Sequence, residues 1–301
     1  MYLSTYTQET HVVSRNAFSD IEKLIVEMPE ISRAHVKEGA YSALSAVSII
    51  DEPSLAAVNW FQSCSAAHIT YPQRPTLALY VATYGEDREV IKRAEDYVRL
   101  TTKSGGLSSY AATKTGCGLS LFELAPQYPF VPREGALGEE GAAATIAYGM
   151  EATSLGADLL IVGASSDGIS AYESLLCEEL NAIEVGDRKA IEAFLMTFAG
   201  RDIAALLGAI AAARYQQIPV MVEGLSAHIA ACLLYKYKPS SIDHVVSARK
   251  DVFDIPFAIE VFAASDYRSA PGVDGTLAAQ VLSSRIQLMC DLKGLLDAPE
   301  A

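Results

Sequence analysis

The run Thr76-Leu77-Ala78-Leu79-Tyr80-Val81-Ala82 is apolar at nearly every position, bounded by Pro75 on one side and Gly85-Glu86-Asp87 on the other. A strand covered on one face alternates apolar and polar residues; one that is apolar throughout must be covered on both. The same character returns at Ala157 to Gly163 and at Ile218 to Gly224, with shorter runs at Leu119 to Leu124 and His244 to Ser247. Helix-length stretches separate them: Glu86 to Leu100, a helix through Tyr110 after the Gly105-Gly106 turn, Glu139 to Leu155, Ile169 to Leu180, a long helix through Ala211 and Ala227 to Tyr237. Helices over Pro256 to Ala264 and through Leu296 follow. Strand and helix in alternation predict an α/β fold, a doubly wound, mostly parallel Rossmann-like sheet with helices on both faces.

Residues 1–70 lack such a strand and read as helical. Ile21, Leu24, Ile25 and Met28 recur at i, i+3, i+4, i+7, and Tyr41, Leu44, Ser45 and Ile49 precede a break at Asp51-Glu52-Pro53-Ser54, after which Leu55, Val58, Trp60 and Phe61 resume the register. The expected organisation is a small helical domain over 1–70, completed by the C-terminal helix, and a large nucleotide-binding-like α/β domain over 71–301.

The 301 residues carry 23 Lys+Arg against 37 Asp+Glu, a net charge of -14, and half are hydrophobic. That composition buries a large core and excludes disorder, and its acidity argues against nucleic-acid partners, which require counterion release by Lys and Arg. The apolar stretch Ile203 to Ala213 is too short to span a bilayer and reads as a buried helix, so no membrane partner is expected. Met1 to Ser14 has no secretory pattern, which points to the cytoplasm. Cys64, Cys117, Cys177, Cys232 and Cys290 form no C-x-x-C pair and the five histidines show no ligand spacing, so neither disulfides nor a metal are expected, and no cofactor is called for.

In a doubly wound sheet the ligand lies beyond the carboxyl ends of the strands. Gly163-Ala164-Ser165-Ser166-Asp167-Gly168-Ile169-Ser170 is expected to be the loop after the clearest strand, where glycines and small hydroxyl residues let backbone N–H groups approach a phosphate. It is neither G-x-G-x-x-G nor a Walker loop, and turns of this composition are commonly no more than turns. Glu223 and Asp274 are carboxylates where a proton acceptor would be useful; each also reads as a loop acid. Asp202, opening the Ile203 to Ala213 helix, reads as a first-turn acid meeting the helix dipole, and His228 as a satisfied core histidine.

Two longer stretches carry a resemblance. Glu140 to Gly163 resembles the helix and strand that lead into the phosphate loop of the nicotinate-nucleotide:dimethylbenzimidazole phosphoribosyltransferase family. Phe198 to Gly224 is similar to that family's Gly-Gly-x-Glu-Ile-Ala helix and Ile-Pro-Val-x-x-Asp-Gly strand, and weaker similarity covers Asp51 to Leu55, Pro75 to Gly85 and Ser104 to Leu124. The resemblance implies a dimer whose sites receive residues from the neighbouring subunit. It also implies transfer of ribose phosphate from nicotinate mononucleotide to an aromatic base. That reaction needs a phosphate anchor, stabilisation of positive charge on the sugar, and a carboxylate to accept the base's proton.

Matched residue by residue, Gly163 to Ala171 stands where the family has Gly-Glu-Met-Gly-Ile-Gly-Asn-Thr-Thr, with Ala164 in place of the Glu and Asp167 adding a negative charge. Gly163, Ser165, Ser166, Gly168 and Ser170 are the expected phosphate contacts. Asp274 falls where the family's Gly-Glu-Gly-Thr-Gly segment carries its catalytic carboxylate, with Gly275 and Thr276 beside it, and is one methylene shorter. Arg249 and Lys250 keep the basic character of a nucleotide-holding stretch, the family's Asp-His-Gly becomes Thr83-Tyr84-Gly85, and its later Asp becomes Glu223. Two readings follow: a divergent phosphoribosyltransferase with Asp274 as base, most simply a homodimer, or a non-catalytic homologue, a ligand-binding or regulatory subunit or the inactive partner of a heteromeric transferase. A dinucleotide-dependent oxidoreductase is disfavoured, because no G-x-G-x-x-G follows a strand.

Overall fold

The computed structural model describes residues 17–31, 52–66, 69, 71–135, 137–247 and, towards the C-terminus, 280, 283–284, 286–288 and 290–291. The expected helices at 41–49 and 256–264 and the 272–276 loop lie outside the described residues, as does part of the last helix, whose described residues are helical.

Strands β1 (Pro75–Thr83), β2 (Gly118–Glu123), β3 (Leu159–Asp167), β4 (Val220–Val222) and β5 (Val245–Ser247) form one sheet in the order β2-β1-β3-β4-β5, every pairing parallel. β1 is buried along its whole length, as its unbroken apolar run requires. The chain leaves β1 for β2 on one side and returns from β2 past β1 to β3 on the other, so the topological switch point lies between the carboxyl ends of β1 and β3.

Helices cover both faces. Ala78, Tyr80, Leu160, Val162, Val220 and Val222 point into one core with α1 (Ala17–Val26), α5 (Gly138–Gly149), α6 (Glu173–Asn181), α7 (Arg188–Thr197), α8 (Arg201–Tyr215) and α9 (Leu225–Tyr237). Leu77, Leu79, Leu159, Ile161, Met221 and Val246 point the other way, against α2 (Glu52–Cys64), Ala112 of α4 (Gly106–Thr115) and Tyr97 of α3 (Arg88–Thr102), with Ile286 and Cys290. The Pro53 break expected after Asp51 is the first turn of α2, a position where a missing N–H costs nothing.

The Ala-rich helix α8 is the buried helix expected from its composition, enclosed on nearly every side. Small residues let α5 approach it closely: a Cβ on Gly149 would lie 1.8 Å from the Ala205 carbonyl oxygen, and one on Gly208 1.9 Å from that of Ile146. Tyr80 Oη donates to the Gly149 carbonyl at 2.9 Å, tying the crossing to the centre of the sheet. The single long helix expected up to Ala211 is two, α7 and α8, separated at Phe198 to Gly200. The separation sets the first turn of α8 beneath the carboxyl end of the sheet, where Asp202 meets Tyr84, just after β1, and Ser166 of β3. Among the described residues, no helix is long and apolar enough to cross a membrane.

Candidate functional site

The largest departure from expectation is at the end of β3. Gly163 to Gly168 was expected to be a loop, but the strand continues through Asp167, with Gly163 opposite Leu79, Ser165 opposite Val81, Ser166 opposite Ala82 and Asp167 opposite Thr83. Gly and Ser read as turn residues, yet here β1 runs on to Thr83 and offers a ladder along their whole length. Small side chains also fit the narrow space between two covering layers. The turn is left to Gly168, whose φ of 87° suits glycine alone and whose added Cβ would lie 2.2 Å from the Tyr84 carbonyl oxygen. Ser170 is exposed in the short 3₁₀ turn Ile169–Tyr172 that follows.

Alternation along β3 sends consecutive side chains to opposite faces. Ser166 points to the α8 layer and donates to Asp202 Oδ2, which also accepts from Ser226 Oγ at 2.6 Å, while Tyr84 Oη donates to Asp202 Oδ1 at 2.6 Å. Asp202 is fully buried. One carboxyl in the first turn of α8 thus gathers the exits of β1 and β3 and the first turn of α9. Removal from water pushes the Tyr84 hydroxyl well above its ordinary pKa, and the Asp202 charge adds to this, so Tyr84 holds its proton and acts as a donor. Its ring meets Phe130 edge-on and lies 6.2 Å from Tyr172, filling the switch-point floor with aromatic surface.

Asp167 points to the opposite layer and pairs with Arg93 of α3, Nε to Oδ2 at 2.6 Å and Nη2 to Oδ1 at 3.2 Å. The negative charge that the sequence placed among the phosphate contacts is therefore matched by a guanidinium. At the next strand end Glu223 is buried, its backbone N–H donating to the Val162 carbonyl at 3.3 Å. His228 is the satisfied core histidine expected: Nδ1 lies 2.7 Å from the Gly224 carbonyl and Nε2 2.7 Å from Ser247 Oγ. A carbonyl only accepts, so Nδ1 carries the proton, and in the neutral ring Nε2 accepts from the serine.

The structure thus brings Ser165, Ser166, Gly168 and Glu223 to the carboxyl ends of β3 and β4, with Ser170 just beyond, whereas Gly163 lies at the middle of β3 opposite Leu79. Asp274, Gly275, Thr276, Arg249 and Lys250 lie outside the described residues. Sequence reasoning named Tyr84 only within the altered Asp-His-Gly segment, assigned no role to Ser226 or Arg93, and read Asp202 only as a dipole partner. Alternation carried past Ala82 would have put Tyr84 on the Tyr80 face; nothing in the sequence distinguishes Arg93 from the other charges of α3.

The family described as Phosphoribosyltransferase (DBI_PRT) matches residues 176–252. The chain is 30% identical over 212 residues to a nicotinate-nucleotide--dimethylbenzimidazole phosphoribosyltransferase of Rhizobium leguminosarum bv. trifolii, covering 57% of this chain and 62% of that one. It is 29% identical over 224 residues to the Brucella canis protein of the same name, covering 62% and 66%. The aligned part thus spans a little under two thirds of these relatives. In three dimensions it resembles the Thermus thermophilus structure of that name, with a TM-score of 0.57 at 16% identity over 95% of this chain and 99% of that one. The resemblance read from the sequence is borne out: this chain is related to the nicotinate-nucleotide:dimethylbenzimidazole phosphoribosyltransferases over 57–62% of its length, and it has their fold.

Proposed function

We propose that the chain is a phosphoribosyltransferase that moves ribose phosphate from nicotinate mononucleotide to a ring nitrogen of an aromatic base. The observation that carries this reading is where the family match falls. Residues 176–252 include the chain from α7 to β5, and with it Asp202, Glu223, Gly224, Ser226 and His228, which line or brace the carboxyl edge. In this reading Gly168 and Ser170 contact the phosphate and Glu223 faces the ribose. Asp274, with Gly275 and Thr276, takes the proton released as the base attacks C1, and Arg249 and Lys250 hold the nucleotide. A second subunit, the same chain or another, completes the site.

A specific feature favours the second reading, a non-catalytic subunit. β3 runs to Asp167, so only a short turn remains for a phosphate, and Ala164 stands where the family carries Glu. Transfer assays with nicotinate mononucleotide and benzimidazoles, phenols or purines separate the two. The transferase reading expects turnover that falls at least about 100-fold in Asp274→Ala. Nucleotide binding without turnover in the unaltered chain establishes the non-catalytic reading instead.

A further inference from the structure

The ion pair at the end of β3 has a geometry suited to exchange. Arg93 reaches from α3 to the last residue of β3, beside the switch point, and its Nε and Nη2 hold the two oxygens of Asp167. Its side chain is 55% exposed and that of Asp167 22%. Nη1 makes no hydrogen bond among the described residues, so one flank of the guanidinium fork is open to a second oxyanion. An exposed pair of this kind is weak, because water screens both charges and two side chains must be held in one arrangement. A guanidinium donates to phosphate and carboxylate oxygens in the same bidentate manner. An incoming oxyanion can therefore share Arg93 with Asp167 or replace it at small cost.

The surroundings set the sign of the effect. Asp167 above all, and then Asp87 at the cap and Glu89 in the first turn of α3, add negative potential around Arg93 and strengthen its hold on its proton. Without Arg93 this rim would repel an anion. With it one guanidinium stands among three carboxylates, and Asp167 competes directly with any anionic ligand.

We propose that Arg93 is the anion-recognising group at the mouth of the β1/β3 crevice, held ready by Asp167 and shared with or surrendered to an oxyanion of the ligand. The inference draws on the transferase reading only in expecting that oxyanion to be a phosphate monoester rather than a carboxylate.

Calorimetry on the full chain tests it with three probes: inorganic phosphate, nicotinate and nicotinate mononucleotide. Arg93→Gln is expected to weaken the mononucleotide about tenfold or more. Asp167→Asn, which removes the competitor but not the cation, is expected to tighten it a few-fold, and the double variant to lose that gain. Phosphate, but not nicotinate, should show the same Arg93 dependence; the reverse pattern replaces the phosphate by a carboxylate. Binding by Arg93→Gln equal to that of the unaltered chain, or no heat with any probe, overturns the proposal and leaves Arg93 a tie between α3 and β3. Arg93-dependent binding without transfer sinks the transferase reading alone, and transfer unaffected by Arg93→Gln sinks this proposal alone.

Discussion

Ser166 and Asp167 are neighbours in one strand, yet they open onto opposite chemistries. Through Ser166 the strand meets Asp202, a carboxyl with no exposure whose partners are three neutral hydroxyls. Through Asp167 it meets Arg93, a charged partner in contact with water. The number of hydrogen bonds is similar, and what separates the two is burial. In the buried cluster a hydroxyl that loses the carboxylate has little in reach, Ser166 and Ser226 only each other at 3.3 Å, whereas water replaces either member of the exposed pair. The first arrangement fixes the carboxyl edge; the second leaves a group free to act.

Asp202→Ala gives the largest expected effect. It removes the shared acceptor of the Tyr84, Ser166 and Ser226 hydroxyls in a closed site, leaving the two serines only each other, and should cost about 3 kcal/mol, read as a lowered urea midpoint. A loss below about 1 kcal/mol would put the two clusters on equal footing and erase the contrast. Tyr84→Phe removes one donor and keeps the aromatic floor, so about 1–2 kcal/mol is expected, with the Phe130 and Tyr172 contacts intact. Arg93→Gln should leave the melting temperature where it was. A clear drop would show that the exposed pair braces the fold after all.

How much of this was legible beforehand depends on which forces decide each segment. β1 and α8 could be read directly because burial on all sides leaves an unbroken record of apolar residues. The end of β3 could not. Gly163, Ser165 and Ser166 have the composition of a turn, and only the length of β1 alongside, a tertiary fact, makes them a strand. The Asp202 cluster was hidden for a related reason. Its members come from the exit of β1, from β3, α8 and α9, and each alone has a bland reading: a turn aromatic, a small serine, a first-turn acid, a helix-start serine. The family resemblance found the scaffold and put Asp202 within a matching segment, but resemblance does not reveal which neighbours a carboxyl gathers.

The longest ladder in the sheet joins β1 to β3, nine residues on each side, although the entire β2 unit and the α5 helix lie between them in the chain. During synthesis β1 therefore emerges well before its principal neighbour and must wait with an apolar edge that only β2 can cover on one side. Parallel strands so far apart in sequence join late, because the intervening chain has to be closed into a loop first. The nascent chain thus passes through an interval in which its most hydrophobic strand is open to pairing with another copy, and its yield on expression will depend on temperature and on chaperones more than the finished molecule's stability would suggest.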